Sequence, residues 1–162
     1  MEALQGMITD RTRIAMWSGP RNISTALLRS WGNREDTFVN DEPLYAAFLN
    51  ETGFDHPIAQ EIVDYYETDW SKVVAGLTGE IPGGKTIYYQ KHMAHHLLPG
   101  MGREWIHGLE NCFLLRNPAE MLTSLIKILP EPGLADTGLP QQLEIFRMVR
   151  EQTGRQIGRA HV

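Results

Sequence analysis

Two stretches of this 162-residue chain could hold a phosphate or sulfate by the types and spacing of their residues. In the first, the apolar run Ile14 to Trp17 stops at Ser18-Gly19-Pro20-Arg21-Asn22-Ile23-Ser24-Thr25, which opens into a helical pattern. Strand, small-residue turn and helix in that order aim backbone N–H groups and a helix N-terminus at one point, an anion cradle. Arg21 adds a fixed charge with a planar donor fork, and Ser24 and Thr25 add hydroxyl donors. The second stretch, Gly79 to Thr86, satisfies the nucleotide-loop pattern G-x-x-x-x-G-K-T letter for letter. Its context is wrong, because helix-like Trp70 to Leu77 precede it and β-prone Ile87 to Tyr89 follow. A Pro/Gly turn ahead of a strand explains it. His92, His95 and His96 raise a metal reading, but only His107 and Cys112 lie near enough in sequence to complete a zinc site, so no metal is expected.

The elements that must position the cradle follow from periodicity and turn residues. Ile14 to Ser18 reads as a buried strand, Thr25 to Trp31 as the next helix, and Thr37 to Asn40 as a second strand. Asp41-Glu42-Pro43 caps a helix that runs through Leu49 to Thr52-Gly53. Ile58 to Tyr66 and Trp70 to Leu77 are helical, Thr86 to Gln90 is β-rich, and His92 to Leu98 reads as a short helix stopped by Pro99-Gly100. Asn111 to Leu115 is a further strand, followed by a helix from Ala119 to Leu129. Pro130 to Pro140 forms a loop in which Glu131 to Asp136 is either a lid or plain connection, and Gln141 to Gln152 is a final amphipathic helix. Tyr65, Tyr66 and Trp70 suit a core or a pocket wall. Strands separated by helices predict a parallel α/β sheet with its ligand at the carboxyl ends of the strands.

Composition bounds the partners. A net charge of -5 argues against broad nucleic-acid binding, and one basic pocket on an acidic chain points to a small anion. Cys112, the single cysteine, precludes an internal disulfide and reads as a buried structural thiol. No apolar run approaches the roughly 20 residues of a membrane span, and Met1 to Arg13 lack a signal-peptide core. A cytoplasmic protein is expected. The closing residues Ile157-Gly158-Arg159-Ala160-His161-Val162 are what ATC GGA AGA GCA CAC GTC encodes, a stretch of a common sequencing-library adapter. The expectation is one domain over 1–156, truncated at its C-terminal side, with 157–162 foreign. A natural stop codon after Val162 at the clean locus would overturn this.

The cradle resembles the 5′-phosphosulfate loop of P-loop sulfotransferases, in which a basic residue and paired hydroxyls hold the phosphosulfate of 3′-phosphoadenosine 5′-phosphosulfate. Asn22-Ile23-Ser24-Thr25 replaces the family's usual Ser-Gly-Thr-Thr. A second element looks like that family's 3′-phosphate site: a strand, then Arg116-Asn117-Pro118, then Ser124 eight residues after the arginine. The resemblance, over Ile14 to Ser124, implies a P-loop-type α/β fold with that donor nucleotide as co-substrate and a small-molecule hydroxyl as acceptor. It puts Arg21, Ser24 and Thr25 on the phosphosulfate within the loop Gly19, Pro20 and Asn22, and Arg116 with Ser124 on the 3′-phosphate. It makes His92, in Tyr89-Gln90-Lys91-His92-Met93, the base on the acceptor hydroxyl, with Asp41 and Glu42 in reserve. The resemblance gives Arg21 a catalytic role too, stabilising charge on the sulfuryl oxygens and the leaving phosphate. The family's late Gly- and Lys/Arg-containing segment has no counterpart after Ser124, so weak donor binding is expected of this chain. The competing functions are a kinase or nucleotide hydrolase using ATP with Mg²⁺, and a non-catalytic anion-binding domain.

Overall fold

A computed structural model describes residues 11–154; the adapter-like tail and the first ten residues lie outside them. Four strands form one all-parallel sheet: β1 (Thr12–Ser18), β2 (Thr37–Asp41), β3 (Ile87–Met93) and β4 (Glu110–Leu114), in the order β2-β3-β1-β4. Around it lie α1 (Ser24–Gly32), α2 (Tyr45–Thr52), α3 (Ala59–Tyr65), α4 (Trp70–Thr78), α5 (Pro118–Leu125) and α6 (Leu139–Thr153). The α/β class and parallel sheet are those the sequence predicts. β1 lies between β3 and β4, so the loop leaving its carboxyl end opens onto the middle of the sheet edge, where ligands bind in such folds.

Register explains the core. Trp17 pairs with His92 on one side and Phe113 on the other, so the three share one face of the sheet. Trp17 is fully buried, its indole donates to Asn111 Oδ1 at 2.8 Å, and its ring stacks on His92 at 4.4 Å. Ala15, Leu44, Leu97, Ile106 and Ile145 close the same core. On the opposite side of the sheet Tyr89 stacks against Trp31 of α1 at 5.2 Å.

Several local expectations shift. β3 continues through His92 and Met93, where buried side chains meet on the sheet face, and only a single 3₁₀ turn, Ala94–His96, follows in place of a helix. α5 ends at Leu125, short of Leu129. The Pro/Gly-rich loop contains a 3₁₀ turn, Ala135–Thr137, and α6 starts earlier than expected, with Pro140 in its first turn, where the missing N–H costs nothing. Cys112 is exposed, because β4 forms the sheet edge and Cys112 lies on a poorly covered stretch of it. The G-x-x-x-x-G-K-T segment forms one 3₁₀ turn, Pro82–Gly84, running straight into β3, and Lys85 donates to the Glu35 carbonyl at 2.5 Å. No helix follows to receive a phosphate. Among the described residues no helix is long and apolar enough to cross a membrane.

Candidate functional site

The cradle is held open by side chains of its own loop. Asn22 Nδ2 donates to the Gly19 carbonyl at 2.8 Å, while Asn22 Oδ1 accepts the Ser24 N–H at 3.0 Å. Arg21 between them takes a left-handed φ of 59°, a conformation that a non-glycine residue adopts at a cost. A methyl group on Gly19 would collide with the Thr137 carbonyl oxygen and crowd Gln142, so only glycine allows the loop to lie against the turn before α6. Ser24 is buried at the helix start, and Thr25 is exposed.

α1 starts unlike α4 and α5. Asp69 caps α4 by accepting the Ser71 N–H at 2.9 Å, and Asn117 caps α5 by accepting the Ala119 N–H at 3.0 Å. α1, like α2 and α6, has no side-chain cap at its N-cap residue and no acid in its first turn, and Asn22 Oδ1 takes the Ser24 N–H. The first-turn N–H groups beyond Ser24 and the positive dipole end of α1 suit an anion.

The second predicted anion site closes onto the first. Arg21 Nε donates to Ser124 Oγ at 2.9 Å, and Arg116 donates to the Arg21 carbonyl at 2.7 Å. Arg116 also lies 3.5 Å from Glu120. An open cleft of about 400 Å³ adjoins them, lined by Arg116, Ala119, Glu120, Thr123, Ser124 and Lys127. Gly19, Pro20, Arg21, Asn22, Ser24, Arg116 and Ser124 thus come together from two segments about a hundred residues apart. Lys127 escaped the sequence reading because it was placed inside a longer helix with no fixed face.

His92 does not join them. It is 1% exposed, its Nε2 lies 3.3 Å from Gln90 Oε1, and burial pushes its pKa down to about 3. A neutral imidazole sealed between Trp17 and Gln90 has no path to an acceptor hydroxyl, so this placement does not suit the base role. His96 is held well below the usual histidine range, chiefly by burial and then by His95, His92 and Lys91. Its ring packs on Tyr45 and on Phe48, each at 4.8 Å. Among the described residues no group of three or more His, Cys, Asp or Glu is arranged to hold a metal ion. Tyr65 and Tyr66 are exposed on and just after α3 and build no core.

At the other end of the sheet edge stands a charge cluster. Lys91 Nζ lies 2.7 Å from both Asp41 Oδ1 and Glu42 Oε1, with the lysine side chain 4% exposed and the aspartate 51%. Burial alone would lower the Lys91 ammonium, but hydrogen bonds and charge from the two carboxylates outweigh it and raise the pKa. Glu42 has a left-handed φ of 51°, and its N–H donates to the Lys91 carbonyl at 2.9 Å, which aims both carboxylates at the lysine.

A sulfotransferase-domain profile matches residues 12–150. The chain belongs to the sulfotransferase-domain family. Two curated relatives from Arabidopsis thaliana, branched-chain-amino-acid aminotransferase-like proteins 1 and 2, are each 38% identical to it over 133 residues. The match covers 82% of this chain but 24% and 23% of theirs, so the chain spans about a quarter of those relatives' length. No solved structure matches it significantly. Membership makes this sulfotransferase domain a transferase by family, with sulfuryl transfer as its general chemistry.

Proposed function

We propose that this sulfotransferase domain moves a sulfuryl group from 3′-phosphoadenosine 5′-phosphosulfate to the hydroxyl of a small-molecule acceptor. The observation carrying the reading is the meeting of the cradle loop with Arg116 and Ser124, sealed by the 2.9 Å and 2.7 Å hydrogen bonds. The donor lies across the strand ends. The first-turn N–H groups of α1 beyond Ser24, with the Ser24 and Thr25 hydroxyls, hold its 5′ end, and Arg116 with Ser124 holds the 3′-phosphate.

The acceptor oxygen attacks sulfur in line, forming the new S–O bond as the bond to the 5′-phosphate oxygen breaks and its electron pair stays on the phosphate. Donors aimed at that oxygen stabilise the charge it gains. The acceptor proton passes to the Asp41–Glu42 pair, since each carboxylate meets Lys91 through one oxygen and keeps the other for a substrate. Lys91 holds both in place and neutralises one of the two charges.

Thermal-shift measurements with adenosine 3′,5′-bisphosphate, ATP plus Mg²⁺, and sulfate test this. The bisphosphate at saturating concentration should raise Tm by several degrees, through binding to the folded state alone, and Arg116→Ala should abolish the shift. A shift with ATP plus Mg²⁺ that survives Arg116→Ala would indicate a kinase or hydrolase instead, and an equal response to all three anions would indicate a simple anion-binding domain.

A further inference from the structure

We infer that the acceptor is an amine-bearing alcohol whose ammonium group sits in the open cleft between α2 and α3. The inference rests on the reading above and names the acceptor's chemical class. The cleft holds about 650 Å³, a volume in the range of small-molecule sites, and lies where α2 ends and the chain turns into α3. Phe54 and Ile58 line it, 39% and 61% exposed, and no residue of α3 is buried. Apolar surface is thus offered to a ligand. Asp55 and Glu61 stand beside it, and no lysine or arginine does. Among the described residues neither carboxylate makes an ion pair or a side-chain hydrogen bond. By contrast Asp36 is taken by Arg34, Asp41 and Glu42 by Lys91, and Glu67 by Lys72. Two unpaired carboxylates next to apolar side chains select a cation on a carbon chain.

The cleft is continuous with the reacting end. Tyr45 opens α2, and its N–H donates to the Glu42 carbonyl at 2.9 Å. Its ring meets His56, which lines the cleft, edge-on at 5.8 Å. Phe48 lies three residues on and meets Phe54 at 5.9 Å. Tyr45, Phe48 and Phe54 form an aromatic track from the Asp41–Glu42 pair to the cleft, and ring faces of this kind attract an ammonium as well as a carbon chain. With its hydroxyl at the carboxylate pair, the acceptor lies along α2, which rises about 12 Å over its eight residues. An amine of the lysine kind stays protonated near neutral pH, so it has no lone pair to compete with the hydroxyl for sulfur.

Calorimetric titration with 6-amino-1-hexanol, 1-hexanol and 6-hydroxyhexanoate compares a cation, a neutral chain and an anion of similar length. The amine should bind about 10-fold tighter than 1-hexanol, and the carboxylate weaker than either. Asp55→Asn with Glu61→Gln should bring the amine within about threefold of 1-hexanol. Both positions are exposed, and an unchanged Tm checks that the variant keeps its fold. Glu61→Lys should narrow the gap between amine and carboxylate. Equal binding of the amine and 1-hexanol to the wild type would overturn the inference, and so would an amine preference that survives the double variant. The titrations use no nucleotide, so the donor reading stands or falls separately, on the bisphosphate shift in Tm.

Discussion

The two ends of one sheet edge are built on opposite electrostatic plans. At the β1–β4 end, Arg21, Arg116 and Lys127 gather near a helix start with no acid in its first turn. At the β2–β3 end, Asp41 and Glu42 share a buried lysine, and the chain between positions 35 and 71 holds ten acidic residues and no lysine or arginine. The cationic end leaves donors unsatisfied so that an anion can satisfy them, and guanidinium charge is insensitive to pH. The acidic end satisfies its buried charge internally, at the expense of being sensitive to what is removed from it. A group-transfer site needs both: a fixed positive field for the donor and a proton acceptor for the other substrate.

The largest expected effect comes from acid, which should break the β2–β3 end first. His92 and His95 are held neutral by burial, down to about 3 and about 4, with Asp136 partly opposing the shift of His95. Between about pH 6.5 and those values each unfolded histidine binds a proton that its folded counterpart refuses. Stability is therefore lost as pH falls through that window, by about 1.4 kcal/mol per pH unit for each histidine. Denaturant unfolding at pH 6.5, 5.5 and 4.5 checks this, and His92→Gln should reduce the slope by one such increment. An unchanged slope would mean that His92 reaches solvent.

Lys91→Met tests the same end at fixed pH. It leaves two carboxylates facing each other and should cost about 2 to 3 kcal/mol, short of the full penalty for a sealed pair because Asp41 is half exposed. Adding Asp41→Asn to that variant should recover part of the loss, whereas no recovery would show that the lysine acts through packing alone.

The smallest effect carries a sign that separates the plans. Ile23→Asp puts a carboxylate where α1 has no cap, and should stabilise the fold by about 1 kcal/mol while weakening bisphosphate binding. Asp69→Ala, at the start of α4, should cost about 1 kcal/mol and leave that binding untouched. A capped α1 that still bound the bisphosphate at full strength would show that the helix N-terminus is not the anion's seat.

Much of this was legible one segment at a time. An apolar run, a small-residue turn and a helical pattern are local signals, and they identified the cradle and set aside the Gly79–Thr86 decoy by its neighbours alone. His92 was misjudged because imidazole chemistry is a property of the residue type, whereas access depends on which sheet face receives it. The alternation that would have put His92 beside Trp17 begins only when β3 is extended past Gln90, and that extension is set by pairing with β1. Cys112 was misplaced for a related reason: a short apolar strand reads the same at a sheet's centre and at its edge, and here it is the edge.

The sequence by itself determined the alternating α/β order, the glycine and arginine of the cradle, and the residue types at both candidate anion-binding segments, because each depends on neighbours a few positions away. Only the tertiary structure decided that Arg21 meets Ser124, that Lys91 joins Asp41 to Glu42, and that His92 is sealed in the core. These are long-range contacts set by strand order and register, and no local propensity encodes which strand ends stand side by side.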